Sequence, residues 1–463
     1  MRLGLSLPSA ALYRQRGQPP APETAGLLAR MSVPPSPARR TQIDTLVKTL
    51  LAAGLWTKLD ALYLTAAHDA QAARLNLVPW TGTVTNLLPN GEMIGATTGA
   101  PGTMPTGWAS VFMVGGITRQ VVGVGTVNGM RYIDVRFSGT PASASGIGIP
   151  LSSTNACPGV VGSRMTVSLY LALIGGSLDG TTLTRVNYTE YNASNAVVAA
   201  DYNVIPAQSI TLTSALTRVS GTRVLTGATA AFVVPALEIG HGTGAIDLTL
   251  RIAAPQLVRM DVPGNFIPTS GVPASQVQTL ARFDLSAVNS PVFSVDRGYS
   301  GNGTSSYLDT NADPSVDFSK ATLSSASYGG WAGLNLTSGF SLGDTNNRVS
   351  INPRTSGDQI NVRINSPSGL TSTAGTAPTA VGLTVANRPS ENLREGWKNG
   401  VLVVSDTQAP SSLPVDLALL RAGATCSANQ VSAAFAGSSL TAAQHLALYS
   451  ALRTYLMAVG AAS

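Results

Sequence analysis

At 463 residues the chain exceeds one ordinary core, so two or three domains are expected. Its 47 glycines, 28 prolines and 11% charged residues describe short strands joined by turns, which favours all-β sandwiches over α/β enzymes; no apolar run is long enough for membrane insertion. The formal charge of +6 is local: residues 1–40 hold Arg2, Arg14, Arg16, Arg30, Arg39 and Arg40 against Glu23 alone, and the nearly neutral remainder argues against nucleic-acid binding.

In chain order, residues 1–40 contain "GQPPAPETAG" and "SVPPSPARR", where prolines deny the backbone both helix and ladder. They read as an extended arm, either a solvated tail or an anchor threaded into a larger assembly. Pro8 interrupts the opening apolar stretches, which argues against a secretory signal. Residues 41–79 read as a helical block. "QIDTLVKTLLAAG" places Ile43, Leu46, Val47, Leu50 and Leu51 on one helical face, with Gly54 as a stop. Beyond it Trp56, Leu59, Tyr63, Ala66, Ala70, Ala73 and Leu77 alternate steps of three and four, a heptad pattern. That pattern fits a helical hairpin packed on its own domain, or the seam of a homo-oligomer, for which a trimer is favoured.

From residue 80 the period changes to two. "RYIDVRFSGT" (131–140) sets Tyr132, Asp134 and Arg136 against Ile133, Val135 and Phe137. "RMTVSLYLALIGG", "AAFVVPALEIG" and "IDLTLRIAAPQLVRM" are further strands, and Asn128-Gly129 and Asp179-Gly180 mark turns, so residues 80–271 read as an antiparallel sandwich. After the linker "TSGVPAS", residues 280–463 read as a second sandwich that includes the hairpin "REGWKNGVLVVSD" (394–406). It closes on a helix with Thr441 and Gln444 as a capping box and Leu448, Leu452, Tyr455 and Val459 as its apolar stripe. The expected class is mainly β: an extended arm, a short helical block and two sandwiches.

"NLLPNG" (86–91) with "PTGW" (105–108), followed by "PQLV" (255–258) and "FIPTSG" (266–271), resembles the carbohydrate-binding-module-like jelly rolls of tailed-bacteriophage virion proteins. Phe266 stands where that family usually has Tyr. "GYSGNGTSSYLDTNADPSVDFS" (298–319), the 394–406 hairpin and the closing helix are similar to phage lectin-like sandwiches of the concanavalin or laminin-G type. The resemblance implies a jelly roll with Trp108 packed under its sheet, then a concanavalin-like domain. It also implies a virion location, as a tail fibre, head fibre, spike or decoration. Residues 1–79 would then dock to other virion proteins and the sandwiches would face a host-surface glycan. Two alternatives stay open: an architectural virion part without a ligand, and a secreted polysaccharide-active enzyme with a binding module.

No cofactor and no catalytic residue are expected. Glycoside hydrolysis needs two opposed carboxylates. In "ENLRE" Glu391 and Glu395 keep the outer pair of the E-x-D-x-E strand of concanavalin-like glycosidases, but Leu393 replaces its middle acid. No G-x-S-x-G occurs, His68 and His445 fall in expected helices, and His241 lies in a glycine-rich loop without a Walker lysine. Cys157 and Cys426, far apart, read as reduced thiols. Asp309, Asn311, Asp313 and Asp317 have the opening spacing of a calcium loop, but Pro314 and Lys320 stand where a glycine and a bidentate acid belong, so a capped loop is preferred. Trp331 and Tyr328 in "SYGGWAGLN" are the candidate glycan platform, against the alternative that they are core.

Overall fold

The computed structural model describes residues 19–462. The chain is mainly antiparallel β with a small helical part, and it divides into two compact units. One is residues 80–282; the other is made of the two segments that flank it in sequence.

Nine strands build the main body of the 80–282 unit: β1 Ile117–Val127, β2 Met130–Gly139, β3 Ser145–Pro150, β4 Arg164–Gly176, β5 Thr181–Tyr191, β6 Val197–Ile205, β7 Thr217–Val224, β8 Phe232–His241 and β9 Ile246–Val258. They pair as nested couples, β5 with β6, β4 with β7, β3 with β8 and β2 with β9, so one long hairpin folds over into two sheets. The sheets run β1-β2-β9-β4-β7 and β3-β8-β5-β6. That connectivity is a jelly roll. Alternation in the sequence decides which side chains enter it: Ile133, Val135, Phe137, Val167, Leu169, Leu248 and Leu250 face Val186, Tyr188, Leu237 and Ile239 across a dry core. Each such side chain contributes about 1.5–3 kcal/mol through burial. Asn128 and Gly129, at φ +51° and +77°, form the primed turn of the β1–β2 hairpin. The unit runs past residue 271, because 274–280 pairs with 80–86 from Ala274↔Asn86 to Leu280↔Trp80.

The flanking segments form one three-layer body. Its middle layer is an eight-stranded sheet in which the 430–437 strand pairs with 326–332 on one side and with 298–300 and 59–63 on the other. A seven-stranded sheet covers one face, with Leu342, Ile351, Val362 and Leu419 against Tyr328, Val431 and Ala434. Helices cover the other: Leu46 and Leu50 of α2 (Pro37–Ala52) and Leu448 and Leu452 of α3 (Ala442–Ala458) pack on Trp331, Val385, Trp397 and Phe435. Ser36 caps α2 by accepting from the Arg39 N–H, and Gly54, at φ +65°, ends it with the Leu55 N–H returned to the Leu50 carbonyl. The Thr441–Gln444 capping box is present on α3, where Leu448, Leu452 and Tyr455 are buried.

Two expectations are corrected. Residues 56–77 are not a helix: after a 3₁₀ turn at Trp56–Lys58, residues Leu59–Tyr63 form a strand buried along its whole length. Leu59 belongs to the core under the helices and Tyr63 to the core between the sheets, so the residues of the heptad pattern share no face. Ala66 and Ala73 are also buried, and Ala70 lies in the turn between the strand and the second 3₁₀ helix, Ala72–Arg74. A run of consecutive buried residues carries no readable period, and tertiary pairing with 434–437 prevailed over the apparent heptads. The second correction concerns the arm. Residues 1–18 lie outside the described residues, but Pro22–Leu28 forms helix α1, and Ala21 and Leu27 enter the core. Arg30 pairs with Asp284 and donates to the Asn76 carbonyl (2.8 Å), while Arg39 pairs with Asp296 (2.8 Å). The charge of these two arginines is answered within their own unit.

Candidate ligand-binding face of the jelly roll

The inward alternation of β1, β2, β9, β4 and β7 forces an equally regular outward set, and the register sorts it into rows. The first row reads Gly125, Tyr132, Ala253, Tyr170, Arg218 across the five strands. The next reads Gly123, Asp134, Arg251, Ala172. Beyond it stand Gln120, Arg136, Thr249 and Gly175, then Thr118, Ser138 and Asp247. Tyr132 and Tyr170 are thus separated by two strand spacings, about 10 Å. The Tyr132 ring leans over Gly125, where an added Cβ would stand 2.7 Å from its hydroxyl and 2.9 Å from Cζ. A side chain there would push the ring off the sheet.

Arginines organise the rest of the face. Arg251 stacks on Tyr132, its guanidinium carbon 3.7 Å from the ring centroid, and grips Asp134 through Nε and Nη2 at 2.8 and 2.9 Å. Arg136 holds Asp247 in the same two-pronged way at 2.8 and 2.7 Å. The Arg136 hydrogen bond keeps the Asp247 carboxyl below its ordinary range, and the Asp134 hydrogen bond pushes the Arg251 guanidinium up. Arg218 lies 5.8 Å from the Tyr170 ring centroid and donates to the Gly264 carbonyl (2.7 Å) and the Ser168 hydroxyl (2.9 Å). Half-buried rings, hydroxyls and guanidinium forks on one sheet face can stack on a ring-shaped polyol and donate to its oxygens. Both carboxylates here are held by arginine, so neither is a free proton donor.

The opposite sheet offers less. On its outer side Glu238 is closed by Arg185 (2.8 Å) and Asn187 (2.8 Å), Tyr202, 53% exposed, is stacked on Arg185, and Tyr191 pairs with Phe232 at the far end with no charged group beside them on that side in the register. In the other unit, a groove of about 340 Å³ between α2 and α3 is lined by Thr41, Thr45, Thr49, Ser450 and Thr454 among others, with no carboxylate, histidine or lysine.

The sites expected from sequence do not assemble. Tyr328 is fully buried in the core between the sheets, and Trp331 is buried beneath α3, stacked at 5.7 Å on Tyr449. Neither can meet a glycan; small neighbours around a tryptophan mark close packing here, not exposure. Asp309, Asn311, Asp313 and Asp317 are otherwise engaged: Asp309 accepts from the Asn311 N–H, the Asn311 amide donates to the Asp284 carbonyl and the Ser286 hydroxyl, Asp313 caps a one-turn helix at Pro314–Asp317, and Asp317 accepts from the Asp313 N–H. Among the described residues no cluster of three metal-ligating side chains forms. Glu395 accepts from Asn387 and Trp397, tying down its own hairpin. His68 lies in a turn rather than a helix, hydrogen-bonded to the Val33 carbonyl, and His241 closes β8. Cys157 and Cys426 are free and buried. Sequence alternation exposed Tyr132, Asp134 and Arg136, whereas Tyr170, Arg218 and Arg251 were missed. Their outward parity was legible, but the register that joins them into rows was not.

No family model and no curated protein matches the chain. Among solved structures it is similar to a CBM4 carbohydrate-binding module (15% identity, 30% of this chain and 77% of that one, TM-score 0.19). It is similar also to the CBM22–xylanase modules of a Clostridium thermocellum enzyme complexed with xylohexaose (12% identity, 40% and 30%, TM-score 0.22). A tandem CBM22 domain from Paenibacillus barcinonensis gives 13% identity over 77% of this chain and 92% of that one, at a TM-score of 0.26. Likenesses this slight bear no weight; the jelly roll rests on the strand pairing described above.

Proposed function

We propose that the chain is a non-catalytic glycan-binding protein whose contact surface is the outer face of β1, β2, β9, β4 and β7, acting as an adhesive surface component of a tailed-phage particle. The observation that carries the glycan reading is the first row, with two tyrosines about 10 Å apart on one sheet face. That spacing suits two sugars in a chain, one over the Tyr170 ring and one over the Arg251 guanidinium that lies on Tyr132. The arginine–carboxylate pairs of the next rows present fixed donors and acceptors to hydroxyl groups at the edge of those sugars. The non-catalytic part is supported by the same pairs, since an acid locked in a two-pronged ion pair makes a poor proton donor. The phage setting rests on the resemblance of the "NLLPNG" and "FIPTSG" ends.

Glycan-array screening of the full chain, with the Tyr132→Ala and Tyr170→Ala variants alongside, tests this. Each variant should bind roughly tenfold more weakly, the scale of one lost aromatic contact, while its melting temperature stays near that of the parent. Binding retained by both variants would remove this face from the function. No glycan bound by the parent at all would leave an architectural part.

A further inference from the structure

Residues 80–282 contain ten arginines and no lysine, and those on the ligand face differ in how their charge is met. Arg251 and Arg136 each face a carboxylate in a two-pronged pair. Arg218 does not. Its hydrogen bonds go to a carbonyl and a hydroxyl, both neutral, and its Nε is buried without a partner. The guanidinium is half-buried beside Tyr170, and burial pulls its proton affinity down, opposed by the Tyr170 phenol and by no carboxylate. A cation held this way is costly unless something brings it an anion. Each terminal nitrogen has one further N–H to offer, in the planar fork that fits a carboxylate. The row therefore has two unlike ends. At Tyr132 the adjacent charges cancel, and at Tyr170 a positive charge is left over.

We propose that this face selects an acidic glycan, with the carboxylate of the sugar over Tyr170 held by Arg218 and a neutral sugar at the other end of the row, against the paired Arg251 that covers Tyr132. The proposal rests on the reading of this face as a glycan surface and names the ligand class of that same site.

The test is calorimetric titration of the full chain with polygalacturonate, with neutral xylan, and with dextran sulfate as a polyanion lacking carboxylates. Polygalacturonate should bind at least about tenfold more tightly than xylan, the scale of one charge-assisted fork. Arg218→Gln should bring the two within about twofold of each other, and Arg218→Lys, which keeps the charge and loses the fork, should fall between. Arg223→Gln removes an arginine already paired with Asp201 and serves as the control; the ratio should stay as in the parent. Equal affinity of the parent for polygalacturonate and xylan would overturn the acidic assignment while leaving the glycan reading in place. So would a ratio that survives Arg218→Gln. Dextran sulfate matching polygalacturonate in both parent and Arg218→Gln would reduce the effect to general charge attraction and overturn it too. Binding of none of the three would sink the glycan reading itself. Should Arg218→Gln fail to fold, the Arg218→Lys ratio decides.

Discussion

His445 sits in the first turns of α3, 1% exposed and stacked on Trp397 at 4.2 Å, with Nε2 lacking a partner. Burial pulls its pKa from 6.5 down to about 3. The unfolded chain therefore takes up a proton near pH 6.5 that the folded chain refuses until about pH 3. Stability from this source is complete above pH 6.5 and falls as the pH drops through that window, by at most about 1.4 kcal/mol per pH unit. His445→Phe keeps an aromatic ring against Trp397 and removes the titration. Denaturant unfolding at pH 7 and pH 4.5 should show a smaller acid loss in the variant than in the parent. Equal losses would mean that the buried ring is not what acid attacks. Asp60 is a second buried ionisable group in the same unit, where its carboxylate collects the N–H groups of Ser319, Lys320 and Ala321 and ties that loop to the 59–63 strand. Burial raises its pKa although those bonds oppose the rise.

At the level of elements, what the sequence showed and what it hid divide along one physical line. Helix α2 was legible because Ile43, Leu46, Val47 and Leu50 repeat at helical spacing and Gly54 takes the left-handed conformation that ends it. Strands such as 130–139 were legible because one side is regularly apolar and dry, Ile133, Val135 and Phe137, while Tyr132 and Arg136 on the other side stay partly exposed. The 59–63 strand was not, since both its sides are buried and alternation vanishes. The candidate face was half legible for a related reason. Parity is local, whereas the meeting of Tyr132, Ala253 and Tyr170 depends on pairing between distant segments. Leu59 separates the two readings of residues 56–77 experimentally. Its side chain is 1% exposed, under the helices, so Leu59→Asp buries an unpaired carboxylate and should leave this unit unfolded or insoluble. A helical oligomer seam would instead yield a folded, dissociated protein. Circular dichroism together with size-exclusion chromatography distinguishes the outcomes, and a folded monomer would restore the seam.

For the whole molecule, the jelly roll is an insertion. The chain leaves one unit at Pro79, builds residues 80–282, and resumes the first unit at Phe283. Each unit holds its own ends together. In the jelly roll, Trp80 pairs with Leu280, and Arg282 reaches back to stack on the Trp80 ring at 4.8 Å. In the other unit the Asn76 N–H donates to the Asp284 carboxylate at 2.8 Å, so the two chain segments meet beside the point of insertion. A linear reading of sandwiches at 80–271 and 280–463 hides this, because residues 19–79 carry no mark of belonging with a sheet strand that lies beyond residue 430. The consequence is specific. Residues 80–282 should fold alone, since their core and closing ribbon are complete within that span. Joining Pro79 to Phe283 through a short glycine-serine linker should leave the other unit folded, because its strand at 59–63 still reaches its partner at 434–437. The expected result is two soluble proteins, each with a single cooperative melt. By contrast, residues 283–463 expressed without the N-terminal segment should aggregate, because they lose Leu46, Leu50, Leu59 and Leu62 from the core under the helices and expose the edge that the 59–63 strand covers. A well-folded 283–463 fragment would show that the N-terminal segment is an accessory, and that the first unit begins after the jelly roll.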